Sequence, residues 1–287
     1  MKTEDINDPL FRSAVESIDS GDLHSLSKIV NNNPYLIKEK LINTEKGYFQ
    51  DPFLLYFIAD NPIRSEKLAD NIVDITRWIV NEIKLQSPEN WQQQINYTLA
   101  LVVTGRIPRE CGVQIELTDL LIDTGATPAE PLGAIAHGNK EVAAHLVKRG
   151  ATLNLATAVG LQLPEEEISK LAEYASSQEK LVALTTAAFH GDANMLSFLI
   201  DKKFPVNGYP ENNKGFHSHA TPLHQAVYSG SIDAVKLLIK AGADTEPRDK
   251  VYGGTPLGWA EYMLTEEEAP GKKDDYAEIA NYLKFKI

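Results

Sequence analysis

The sequence predicts an all-α solenoid of about eight stacked helix-turn-helix units, with short loop or hairpin fingers between them. Three observations predict it. Residues 220–244, ATPLHQAVYSGSIDAVKLLIKAGAD, read as helix, tight turn, helix and loop. The interval from Gly138 to Gly150 recurs from Gly230 to Gly242, so two second helices share one length. The TPL triplet at Thr221 returns one unit later at Thr255.

Within residues 220–244, Thr221 is suited to cap a helix and Pro222 to stand at its first position, where the missing N–H costs nothing. Leu223, Ala226 and Val227 supply an apolar face. Gly230 ends that helix, Ser231 caps the next, and Ile232, Val235, Leu238 and Ile239 recur at helical spacing until Gly242. TPLH-x-A, the turn glycine, the second amphipathic helix and GAD resemble the ankyrin repeat in order and content. The resemblance implies a protein-binding scaffold. It also implies that His224 bonds to the backbone of a neighbouring loop and that the first helices line a concave face.

From the N-terminus, Phe11, Ala14, Val15 and Ile18 lead to Gly21, and Leu23, Leu26, Ile29 and Val30 lead to Asn33-Pro34, which cannot continue a helix. This is a capping unit over 5–43, with Ser13, Glu16, Ser17 and Asp19 expected on its outer face. Residues 44–128 are expected to hold diverged units with inserts. There PFLLYFIA forms a short apolar helix, and NPIRSEK interrupts before a second helix with Leu68, Ile72, Ile75, Ile79 and Ile83 on one stripe, flanked by Trp78. Trp91, Ile95, Leu99 and Val102 mark a further helix ending at Gly105, and RIPRECGVQIE lengthens the turn before LTDLLIDTGA.

Regular units return over 129–250. The first is built around Gly138 and Gly150. The next has Glu165, Glu166 and Glu167 after Pro164, where a helix start favours acidic residues. Then comes one with its turn at Gly191, in which Lys203 stands where a glycine is expected, at a modest backbone cost. A C-terminal capping unit fills 251–287. It starts at Thr255-Pro256 and closes with a helix over 274–285 that turns Ile279, Ala280 and Leu283 inward. The whole of 1–287 is thus expected to be one domain. NPYLI, ALTTAAFHG, TPLHQAVYSG and GGTPLGWAEY together resemble a group of bacterial ankyrin-repeat proteins of unassigned function.

The chain has 287 residues, 40 acidic against 28 basic, for a net charge of −12. That balance argues against a nucleic-acid grip and against an anionic membrane surface. A single cysteine, Cys111, leaves no internal disulfide, and the acidic start MKTEDINDPL is unlike a secretion signal. Apolar runs such as LALVV are far shorter than a bilayer span of about 20 residues. A monomer in the cytoplasm, with no cofactor and no metal, is expected.

Equivalent positions give the candidate site. Phe189, Tyr228 and Tyr262 share one position and form an aromatic ladder in an ankyrin stack; Thr186, Gln225 and Trp259 share a second, and His190, Ser229 and Met263 a third. Aromatics on a polar groove anchor protein partners; the competing reading is that the rings pack as core between units. The loop 201–220 is longer than its neighbours and carries Tyr209 and Phe216. The next offers Arg248, Asp249, Lys250 and Tyr252. The predicted protein-binding residues are therefore Phe189, Tyr228, Trp259, Tyr262, Tyr209, Phe216, Arg248, Asp249 and Tyr252.

Two chemical readings compete with the scaffold. His190, His217, His219 and His224 would hold a metal if they converged, although no metal-binding spacing is present. Cys111 near Arg106 and Arg109 is a candidate nucleophile in the divergent middle, against the plainer expectation of a partly buried, inert thiol. A third class is a small-ligand sensor. No GxSxG, P-loop or HExxH string supports catalysis.

Overall fold

A computed structural model of the chain describes residues 2–42, 49–211, 218–265 and 272–285. It divides into two compact units, Met1–Thr152 and Leu153–Ile287. Among the described residues every regular element is a helix, and the helices pair in chain order.

In the first unit α1 (Pro9–Ser20) pairs with α2 (Leu23–Asn32), which runs on into the short α3 (Tyr35–Lys38). A 3-10 turn, Leu54–Ala59, packs on α4 (Ile72–Gln86), and α5 (Trp91–Thr104) packs on α7 (Gln114–Asp123) after the short α6 (Arg106–Glu110). Then α8 (Pro131–Ala136) pairs with α9 (Lys140–Lys148). One row of contacts runs from α1 through the 3-10 turn and α5 to α8, and a second runs from α3 through α4 and α7 to α9.

The second unit repeats this layering with α10 (Leu155–Gly160) and α11 (Glu165–Glu173), α12 (Ser177–Phe189) and α13 (Ala193–Asp201), α14 (Pro222–Ser229) and α15 (Ile232–Lys240), and α16 (Pro256–Thr265) and α17 (Lys273–Lys284). First helices α10, α12, α14 and α16 form one row, and α13, α15 and α17 form the other. The fold class is an all-α ankyrin-repeat solenoid.

The local reasons match the residues. Asp8 caps α1 by accepting N–H groups of Leu10 and Phe11 at 2.8 and 3.0 Å, and Phe11, Ala14, Val15 and Ile18 are buried. Ile72, Ile75, Ile79 and Ile83 form the buried stripe of α4. Ser231 caps α15 through the N–H of Ala234. Gly230 has φ 75°, a left-handed conformation that glycine adopts without a Cβ clash, and Lys203 holds the same region at φ 64°.

Four expectations are corrected. Ser17 is buried rather than on the outer face, because its hydroxyl bonds back to the carbonyl of Ser13 and the helix side it occupies is packed. Leu68 precedes α4, which starts at Ile72. Residues 106–116 are helical in two pieces, α6 and the start of α7, instead of a long turn; the buried Gln114 holds the break by donating to the carbonyl of Val102 at 2.9 Å. The closing helix is Lys273–Lys284, shifted by one residue at each end from 274–285.

A joint in the first unit escaped the sequence reading. The Arg64 side chain is buried in the interruption before α4, bonds to the Asp19 carboxylate, donates to the carbonyl of Phe57 at 2.9 Å and lies over the Phe57 ring at 5.1 Å. It pins α1 to the 3-10 turn with a charge that is paired, as a buried charge must be.

Candidate functional site

The site is built from α14 outward. Pro222 opens α14, and Thr221 before it is extended at φ −78°, ψ 166°. The Thr221 hydroxyl lies 2.8 Å from Nδ1 of His224, and the Thr221 N–H donates to the same nitrogen at 3.3 Å. Nε2 of His224 lies 3.0 Å from the carbonyl oxygen of Gly254, in the turn before α16. Nδ1 is therefore the acceptor and Nε2 the donor, which fixes the neutral tautomer. Burial pushes the His224 pKa down, against the opposing effect of the Gly254 bond. The histidine is a joint between consecutive units, as the resemblance implied.

The turn 249–254 that meets it is organised by Asp249. Its carboxylate accepts the N–H groups of Val251, Tyr252 and Gly254 and the indole N–H of Trp259, at 2.6 to 3.0 Å. Burial alone would raise its pKa; the donors from Tyr252, Trp259, Val251 and Gly254 outweigh it and hold the carboxyl well below the usual carboxylate range. Asp249 was expected as a finger contact. It is 3% exposed, and its role is to shape the turn and to hold Trp259. Gly254 permits this approach: a Cβ there would lie 2.9 Å from Cδ1 of Trp259.

Between α14, α16 and this turn lies a groove of about 480 Å³, lined by His219, Tyr228, Tyr252, Gly254, Gly258, Trp259, Tyr262 and Met263. Tyr252, Tyr262 and Tyr228 are 81%, 62% and 38% exposed. Four of the predicted binding residues thus come together. Phe189 extends the row, stacked on Tyr228 with centroids 5.6 Å apart and planes 21° from parallel. The ladder is real for that pair. At the second shared position Thr186 and Gln225 are buried between units, whereas Trp259 is partly exposed. From α17 the Tyr276 hydroxyl donates to the Tyr228 carbonyl at 2.9 Å, and from just before it Lys272 donates to the Ser229 carbonyl at 3.1 Å, so the end of α14 is held from behind.

Tyr209 and Arg248 sit at the fingers. The Tyr209 hydroxyl donates to the Arg248 carbonyl at 2.6 Å, Lys250 lies over the Tyr209 ring at 4.2 Å, and the Arg248 guanidinium donates to Gly253 at 2.7 Å. Phe216 lies outside the described residues. His219 was read as a metal candidate, but its ring packs against Tyr252 and Trp259 at 5.8 and 6.0 Å. Its place in the groove, like that of Gly258, was missed; the replacement of the TPLH histidine by glycine in TPLG was the available signal.

The competing chemistry finds no assembled centre among the described residues, where no cluster of three or more His, Cys, Asp or Glu could hold a metal. His217 lies outside them. Cys111 is exposed, which corrects the expectation of a partly buried thiol: it follows α6 at a turn whose apolar side is taken by Ile107 and Pro108. Arg106 is paired with Glu110 at 2.8 Å, and Arg109 bonds to Asn139 at 2.7 Å. No helix among the described residues is long and apolar enough to cross a membrane.

A family model described as ankyrin repeats (3 copies) matches residues 157–249. Over 61 residues the chain is 44% identical to protein phosphatase 1 regulatory subunit 27 of Homo sapiens and to its counterpart of Mus musculus, covering 21% of this chain. The chain spans 32% of the length of each. Tyr228 falls inside the matched 157–249 region and Trp259 and Tyr262 beyond it, so the groove straddles the end of the ankyrin match.

Proposed function

We propose that the chain is a non-catalytic protein-binding scaffold or adaptor, acting as one ankyrin-repeat domain over 1–287, and that the groove on its last two helix pairs is where the partner is anchored. The observation that carries this is the aromatic set around one cavity, with Tyr228, Tyr252 and Tyr262 exposed and Trp259 partly so. Aromatic rings held rigid at a surface are the usual centres of binding energy. Ankyrin repeats in 157–249 and relatives named as regulatory subunits support a binding role. The matched 61 residues carry no particular partner with them, because they leave most of each relative uncovered. Phe189, Tyr209 and Arg248 are proposed as the flanking contacts, on a monomer working in the cytoplasm.

The test is a pull-down from source-cell lysate with wild type and a Phe189→Ser, Tyr228→Ser, Tyr262→Ser variant whose helix content is checked by circular dichroism. A partner retained by the wild type and lost by the folded variant supports the reading. Equal retention by both overturns the groove as the interface.

A second reading rests on the cavity volume, since about 480 Å³ lies within the range of small-molecule sites. A metabolite that raises the melting temperature of the wild type and not of Trp259→Ala would favour a small-ligand sensor.

A further inference from the structure

We propose that the groove receives the guanidinium of an arginine carried on a basic segment of the partner protein. The proposal rests on the protein-binding reading and names what enters the site.

The lining is rich in aromatic rings. Tyr228, Tyr252, Trp259 and Tyr262 contribute rings and Met263 a polarisable thioether. Aromatic faces carry the negative part of the ring quadrupole, so a cation that settles against these rings is attracted, most strongly by tryptophan. Trp259 is also primed by its neighbour: its indole N–H donates to Oδ2 of Asp249 at 3.0 Å. An N–H shared with a carboxylate pushes electron density into the ring, which strengthens the attraction of its face for a cation. Asp249 accepts four N–H donors, the arrangement that holds a carboxyl as its anion, so negative charge lies directly behind the Trp259 indole.

Of the basic groups nearby, His219 lies with Nε2 3.9 Å from Oδ1 of Asp249, and Arg248 and Lys250 are turned to other partners. Arg248 folds back on the carbonyl of Gly253, and Lys250 lies over Tyr209, outside the lining. Lys and Arg do not occur among the described lining residues, and the chain as a whole carries −12, which favours approach by a basic segment. Arginine fits better than lysine because its guanidinium is planar, stacks on ring faces and is more weakly hydrated. A purely apolar side chain would gain burial but would make no use of the Asp249 charge.

The experiment follows the indole N–H signal of Trp259 by two-dimensional NMR of the full chain, assigned by its loss in Trp259→Phe. The probes are acetyl-Gly-Arg-Gly-amide and the same peptide with citrulline or norleucine in place of arginine. Citrulline keeps the shape and loses the charge. The expected result is a saturable shift with the arginine peptide and binding about tenfold weaker with either replacement. Tyr262→Phe, which keeps the ring, should retain the shift, and Tyr262→Ser should weaken it about three- to tenfold. Equal or tighter binding of the citrulline or norleucine peptide overturns the cation and leaves the groove standing as a protein site. The same holds if no arginine-dependent shift develops up to about 10 mM peptide, a ceiling set by the weakest specific affinities. Loss of the groove reading itself would show differently, as partner retention in the lysate experiment that ignores every groove substitution.

Discussion

Helices α14 and α16 begin on the same triplet and part company at the fourth residue. After Thr221-Pro222-Leu223 come His224 and Gln225, both buried; after Thr255-Pro256-Leu257 come Gly258 and Trp259, both partly exposed and both lining the groove. In α14 the fourth residue reaches forward to the turn before α16. Among the described residues α16 is the last of the row of first helices in chain order; after its triplet comes Gly258, which has no side chain, and then the indole of Trp259, held by Asp249. One helix start therefore serves as a joint in α14 and as the wall of a cavity in α16.

The sharpest way to break this comparison is Asp249→Ala. The substitution leaves four donors, including the indole of Trp259, without their acceptor, and the expected loss is about 3 kcal/mol or more in a urea titration. A change below about 0.5 kcal/mol, within surface-substitution range, would show that the turn does not depend on the carboxylate.

Next in size is His224→Ala, which removes the bond to Gly254 and opens a buried space; about 2–3 kcal/mol should be lost. The two residues separate by pH. His224 has a folded pKa pushed below its unfolded value of about 6.5, so the unfolded chain takes up a proton that the folded chain resists, and stability falls as pH drops below that value. Asp249 has a folded pKa below its unfolded value of about 3.9, so its contribution is intact above that pH and is lost only as pH falls further. Unfolding free energy measured from neutral pH downward should show a first decline that His224→Ala flattens and a later one that Asp249→Ala flattens. A first decline unchanged in His224→Ala would contradict the neutral buried imidazole.

The smallest effect sharpens the other half of the comparison. Gly258 lies within α16 at an ordinary φ, and an added Cβ would meet only the Thr255 hydroxyl oxygen at 3.5 Å. Gly258→Ala should therefore stabilise by about 0.5–1 kcal/mol, read as a higher melting temperature. A loss of stability would mean that the missing side chain is required for packing and does not merely leave the groove open.

Much of the fold was legible because an ankyrin unit writes its boundaries locally. Pro222, Gly230, Ser231 and Gly242 each fix one backbone feature by their own chemistry, and each took the place the sequence assigned; Thr221 stands before Pro222 as expected, but its hydroxyl turns to Nδ1 of His224. The period of four isoleucines was enough to find α4, but Leu68 continued that period beyond the true helix start. Arg64 was not legible, since its partners Asp19 and Phe57 lie outside its own segment and no local pattern marks a charge that will be buried. The site divides along the same line. Tyr228, Trp259 and Tyr262 were found by comparing equivalent positions, whereas Asp249 was mistaken for a contact because a charged residue in a loop looks exposed until its donors are counted. His219 belongs to the groove through a ring contact that no spacing in the sequence encodes.

The ties between the two fingers have a further consequence. Asn207 donates to the carbonyl of Gly242 and accepts from the N–H of Asp244, and Tyr209 donates to the carbonyl of Arg248. On the receiving finger every one of these atoms belongs to the main chain. The side chains at 244 and 248 take no part in these three ties and serve only their own finger, through the Glu246 N–H and the Gly253 carbonyl. A lineage that needed a new partner could rewrite those positions one at a time, each step testing a new contact on a frame that keeps its alignment.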